Sequence, residues 1–210
     1  MNGARGLTAA GSTMAVFGLV GLLLAGCSSS STPRTNPKPP VPTFSATPRP
    51  PPTVAVGTTP PTACTGVAAA ADIDKIVGHP LGGSANQVVG VPLTSIGRTA
   101  RLDCYYGIPA GQGVTAAVLT IGVATYGDPQ SAQARVTSTV NDARSANSQV
   151  STLKVNGSPA TLMISQQNQA LAMSVGTRTV LVTANTGVLP KGEDTAQLSA
   201  LAKLGLTAHA

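Results

Sequence analysis

The chain has 210 residues, a formal net charge of +6, three cysteines and no tryptophan, which is enough for one ordinary domain with appendages. Between Cys64 and Ala210 nine basic residues meet all seven acids, so that segment carries only +2. Nucleic-acid binding needs a clustered basic stripe with stacking aromatics; this segment has three tyrosines as its aromatics and scattered bases, so no nucleic-acid partner is expected.

The N-terminal elements concern export. Arg5 precedes an apolar run from Met14 to Ala25, about a dozen residues, which suits a signal peptide and falls short of the roughly 20 needed to span a bilayer. Leu24-Ala25-Gly26-Cys27 resembles the bacterial lipobox, in which a thiol takes up a diacylglyceryl group and the small residues before it admit the peptidase. Residues 1–26 are therefore expected to be a signal peptide and Cys27 a lipidated residue. At least two acyl chains would anchor it, since each buried methylene contributes about 0.8 kcal/mol. The expected location is the extracytoplasmic face of the cell membrane.

Residues 27–63 read as the lipidated cysteine and a tether. Eleven of the 17 prolines lie there, with many Ser and Thr. Such a segment buries too little apolar surface to offset its ordering entropy. Proline would keep it extended, at about 3.1 Å per residue, and its Ser/Thr density suits O-glycosylation.

Residues 64–210 read as a globular extracytoplasmic domain. Cys64 and Cys104 remain after Cys27 is assigned, and in an oxidising compartment a lone pair reads as a disulfide. The alternatives are a metal site or a reactive thiol. A structural zinc takes four Cys/His ligands, and the segment offers these two cysteines with His79 and His209, the latter beside the C-terminus; no metal and no cofactor are expected.

In chain order, Val67, Ala70, Ile73 and Val77 predict a helix stopped by Gly78 and Pro80. Gly78 to Gly83 reads as a loop, lacking the lysine of a phosphate loop. Arg101 to Gly107 and Val114 to Tyr126 read as strands. Asp128-Pro129 opens a second helix, with Ala132, Val136, Val140 and Ala143 on one stripe to about Ser145. Val150 to Val155, Thr161 to Ser165, Ala170 to Val175 and Arg178 to Ala184 follow as a meander, with Asn156-Gly157 as its first turn. A last helix starts near Asp194. The order α-β-β-α-β-β-β-β-α predicts an α+β fold: one antiparallel sheet with helices packed on a face, one disulfide, and an aliphatic core.

No catalytic constellation stands out. His79 fits helix-terminal electrostatics better than a role as base, and neither a nucleophile elbow nor a zinc-protease helix motif occurs. Arg101 and Asp103 lie two apart on one strand face and are expected to pair. Arg98, Arg101, Tyr105 and Tyr106 flank the expected disulfide as candidate contacts for an anionic or sugar-containing ligand. Strand alternation supports the simpler reading, with one tyrosine packed on the disulfide and the other facing solvent.

Leu24-Ala-Gly-Cys27, the Ser/Thr/Pro tether, Cys64 before an Ala-rich helix, Arg101-Leu-Asp-Cys-Tyr-Tyr-Gly107 and Val155-Asn-Gly-Ser-Pro-Ala160 together resemble the small lipoproteins of mycobacteria and related actinobacteria. The resemblance implies residence in the cell envelope. The expected function is a non-enzymatic binding or interaction module whose partner is an envelope lipid, polymer or protein. The alternatives are a lipid or glycolipid carrier with an apolar cavity and, behind it, an envelope hydrolase.

Overall fold

The computed structural model describes residues 61–209. The expected signal peptide, Cys27 and all of the tether before Pro61 lie outside the described residues.

A single sheet of seven strands organises the domain: β1 (Ser84–Gly90), β2 (Arg98–Ile108), β3 (Leu119–Tyr126), β4 (Gln149–Val155), β5 (Ser158–Ile164), β6 (Asn168–Val175) and β7 (Arg178–Asn185). Its spatial order is β1-β2-β3-β7-β6-β5-β4, and every neighbouring pair is antiparallel. Three helices complete the fold: α1 (Ala70–Val77), α2 (Pro129–Ser145) and α3 (Asp194–Thr207). The α+β class, the antiparallel sheet and the Cys64–Cys104 disulfide agree with the sequence reading.

Three details differ from it. The order gains a strand, β1, between α1 and β2. Six of its seven residues are exposed, so it lacks the apolar alternation that marks a half-buried strand. Two elements are also shorter than their patterns. Cys64–Gly66 and Val114–Ala116 form 3₁₀ turns, so α1 begins at Ala70 rather than Val67 and β3 at Leu119 rather than Val114. Finally, the helices occupy both faces of the sheet. Ile73 and Val77 of α1 and Leu198, Leu201 and Leu206 of α3 share a core with Leu102, Ile121, Leu171, Met173 and Val182. On the opposite face, Val136 and Val140 of α2 pack on Met163, Ala170 and Ala172. An apolar helix stripe specifies that a face is covered, not which one.

Local chemistry explains the best-defined elements. Asp128 caps α2, its carboxylate accepting from the Ser131 amide at 2.8 Å and the Ser131 hydroxyl at 2.7 Å, with Pro129 at the first helical position. Asn156 and Gly157 both have positive φ, 49° and 81°, as a two-residue hairpin turn of the type I′ family requires. Gly205 lets α3 approach the sheet, because a Cβ there would meet Val180 Cγ1 at 2.7 Å. The disulfide closes a separation of 40 residues, which contributes about 4 kcal/mol on the chain-entropy model.

The C-terminal end of α3 rests on one buried cation. Arg178 is 1 % exposed, and its Nη1 donates to the carbonyls of Leu206 at 2.9 Å and Ala208 at 2.6 Å. These are carbonyls that a helix end leaves without intrahelical partners, and the guanidinium charge complements the helix dipole. Burial pulls the Arg178 pKa below its ordinary value. Arg178→Met, which keeps much of the volume and removes the donors, is expected to lower stability by about 2–3 kcal/mol. Chemical denaturation would read this as a lower midpoint with an unchanged slope.

Candidate functional site

Strand β2 presents alternate residues to the two faces. Leu102, Cys104 and Tyr106 enter the core on the α1/α3 side, while Arg101, Asp103 and Tyr105 face the α2 side. On that side α2 lies over β3 to β7, with Ala132 against Ala124 and Tyr126 of β3, and leaves the β1–β2 end of the sheet open, so a cleft forms where the helix stops covering the strands. The strand register lays three rows of side chains along its floor. They run Arg101–Ala124–Thr179, Asp103–Gly122–Leu181 and Tyr105–Thr120–Thr183. Arg135, Val136 and Thr139 of α2 form one wall, and Arg98 and Tyr126 close one end. The cleft encloses about 120 Å³.

Its electrostatics are cationic. Three arginines, Arg98, Arg101 and Arg135, face one carboxylate, that of Asp103. Arg101 Nε donates to Asp103 Oδ2 at 2.7 Å, and Asp103 is 6 % exposed. This charge-assisted contact is what keeps a carboxylate on a buried sheet face. Gly122 makes room for it: a Cβ there would lie 2.8 Å from Asp103 Oδ1. Arg98 Nη2 donates to the Val91 carbonyl at 3.3 Å, while its buried Nε has no hydrogen-bond partner among the described residues. Arg135 makes no ion pair among the described residues. Two guanidinium groups thus have donors to spare, beside four threonine hydroxyls and Tyr105.

The expected contacts divide between the faces. Arg98, Arg101 and Tyr105 line the cleft. Tyr106 does not: strand alternation turns it into the core with Cys104. Its buried hydroxyl has no partner among the described residues, and burial pushes its pKa up to about 12. Sequence reading missed Arg135, Thr139 and Gly122. A signal existed for the first two, which are four apart on the flank of the Val136–Val140 stripe and so share a side of α2.

His79 is engaged elsewhere. Nδ1 lies 3.1 Å from the Pro80 carbonyl and Nε2 2.9 Å from the Val188 carbonyl. Only the imidazolium donates from both nitrogens. These two carbonyls, Pro80 foremost, raise the His79 pKa above 6.5, with a smaller push from Asp74. The contribution to stability is fully present below that ordinary value and is lost as pH rises through the raised pKa. An NMR titration of the His79 ring is expected to show a midpoint above 6.5. His79→Asn is expected to remove the decline in melting temperature across that window.

Other hollows are present among the described residues. One of about 210 Å³ lies under the Leu81–Gly83 loop beside Ile73, Asp74 and Tyr106. An open depression of about 680 Å³ between the end of α2 and the β5–β6 turn is rimmed by polar groups such as Asp142, Asn147, Ser148 and Gln167. Among the described residues no three His, Cys, Asp or Glu converge as a metal site, and no helix is long and apolar enough to cross a membrane.

Fold and site together define an α+β domain with an arginine-lined cleft beside the open end of an antiparallel sheet. No family model matches the chain, and no curated protein matches it. Among solved structures it is similar to the extracellular domain of PknH from Mycobacterium tuberculosis. The identity is 12 % and the TM-score 0.41, over 69 % of this chain and 95 % of that one.

Proposed function

We propose that this chain is a cell-envelope lipoprotein, anchored through Cys27, whose domain is a non-enzymatic binding module. Its ligand is an anionic envelope component carrying a phosphate or carboxylate group. The observation that carries this reading is the excess of guanidinium over carboxylate in the cleft, with Arg135 unpaired among the described residues and Arg98 Nε buried without a partner. Planar guanidinium groups match the oxygens of phosphate and carboxylate, and charge-assisted bonds are roughly twice as strong as neutral ones. The threonine hydroxyls and Tyr105 add polar contacts for a sugar or headgroup.

The rival readings draw less support. An apolar-ligand carrier calls for a pocket of roughly 300 Å³ or more with hydrophobic walls, whereas the cleft encloses about 120 Å³ and the larger depression is polar-rimmed. A hydrolase that uses His79 as base needs a free ring nitrogen, and both nitrogens of that side chain already face carbonyl oxygens.

Titration of the full-length protein in detergent micelles with inorganic pyrophosphate, followed by amide NMR shifts, tests the reading. The shifts are expected to localise to β2, β3 and α2, and Arg135→Ala to weaken binding about 10-fold or more. Shifts scattered over the surface, or insensitive to Arg135, would overturn it. The anchor has its own measurement. Intact mass of the membrane-extracted protein should show diacylglyceryl and acyl additions, and Cys27→Ala should lack them and retain its leader.

A further inference from the structure

The large apolar side chains that the described residues leave exposed are Val88, Val89, Val91, Leu93 and Ile96, between 39 and 75 % exposed. All five fall within nine consecutive positions of the β1–β2 hairpin. Exposed aliphatics scattered singly are ordinary, whereas a group marks an interaction surface; here Val91, Leu93 and Ile96 group on the loop, and the register puts Val88 and Val89 on opposite faces of β1 behind it. The loop that carries them is held in shape. Leu93 and Arg98 exchange backbone hydrogen bonds at 2.8 and 3.0 Å, Thr94–Ile96 forms a 3₁₀ turn, and Gly97 closes it with φ 69°. Leu93 and Ile96 therefore project from a fixed scaffold at the edge of the sheet, with Val91 just before it.

Charge identifies the occupant. Between Asp74 and Asp103 the chain has no carboxylate; of its cations there, Lys75 pairs with Asp72 and Arg101 with Asp103, while Arg98 makes no ion pair among the described residues. An apolar tip with Arg98 at its base, no acid between Gly90 and Arg98, and the cationic cleft beside it is complementary to an anionic lipid surface, where aliphatic side chains enter the acyl boundary and cations meet the headgroups. The tip and the cleft are also continuous. Arg98 donates to the Val91 carbonyl of the loop and lines the cleft, and Val88 lies opposite Asp103 in the register of β1 on β2. We infer that the β1–β2 hairpin seats the domain on an anionic bilayer and that the phosphate taken by the arginine cleft is a lipid headgroup. This rests on the anion-binding reading of the cleft, to which it adds the source of the anion. With Val91, Leu93 and Ile96 below the headgroups, Arg98 stands at phosphate level and Arg101 and Arg135 lie behind it.

The test uses full-length protein reconstituted in vesicles of phosphatidylcholine alone or of phosphatidylcholine with phosphatidylglycerol, so that the N-terminal anchor is common to both. Amide hydrogen exchange over residues 88–97 is expected to slow about 10-fold in the anionic vesicles. Val91→Asp and Ile96→Asp, each at an exposed position, are expected to abolish that protection with the melting temperature unchanged. Equal exchange in both vesicles overturns the proposal. So does protection that appears in phosphatidylcholine and rises with protein density, which would assign this edge strand to a second copy of the chain. Pyrophosphate titration separates the two levels. Arg135-dependent binding without hairpin protection removes the lipid assignment and leaves the cleft reading standing, whereas loss of both removes both.

Discussion

The two-residue period of β2 is the constraint from which the other features follow. From Arg101 to Tyr106 this strand directs Leu102, Cys104 and Tyr106 into an apolar layer and Arg101, Asp103 and Tyr105 to the opposite side. The first set supplies core contacts and the cysteine that holds Cys64. The second set supplies the polar floor of the cleft. A register slip of one residue would bury two charges and expose the core set, so the pairing of β2 with β1 and β3 is strongly specified. The Arg101–Asp103 contact reinforces it, since Asp103 is accommodated only where Gly122 stands opposite.

A domain poor in aromatics must reach native packing density with small and branched side chains, which brings backbones close together. Gly205 on α3 and Gly122 on β3 mark two such approaches, and Ala132, Ala170 and Ala172 let α2 lie low on its face of the sheet. Helix α2 is 17 residues long, about 25 Å at 1.5 Å per residue. Seven strands spaced roughly 4.8 Å apart make a sheet wider than one helix covers. On the α1/α3 side two helices share that width. On the other side α2 is the one helix among the described residues, and the strands beyond its edge are where polar and cationic residues gather.

The placement of α2 follows from connectivity. Strand β3 is an interior strand and β4 is the far edge strand, so the chain between them must cross the sheet, and α2 makes that crossing. The four-strand meander then returns from the edge to the centre, bringing β7 against β3. This return aligns Thr179, Leu181 and Thr183 with the β2 and β3 rows and places Arg178 under the end of α3. One topological feature thus completes the cleft by adding β7, distant in sequence, to the consecutive pair β2 and β3, and it caps the final helix.

Sequence alone determined whatever is local or strictly periodic. The Asp128-Pro129 start of α2, the Asn156-Gly157 turn, the meander and the lone cysteine pair within the domain are legible because caps, turns and alternation act over a few residues. Two of the cleft's three arginines were legible for the same reason, being near neighbours on one strand. Tertiary structure alone decided the rest. It placed α2 opposite α1 and α3, because an amphipathic stripe asks for a partner without naming the face. It revealed β1, which pairs through the backbone with its side chains mostly exposed and so leaves no alternating hydrophobic signature. It brought Arg135 to Arg101 and sent Tyr106 away from Tyr105, because convergence on a cleft depends on register and crossover, which no window of a few residues encodes.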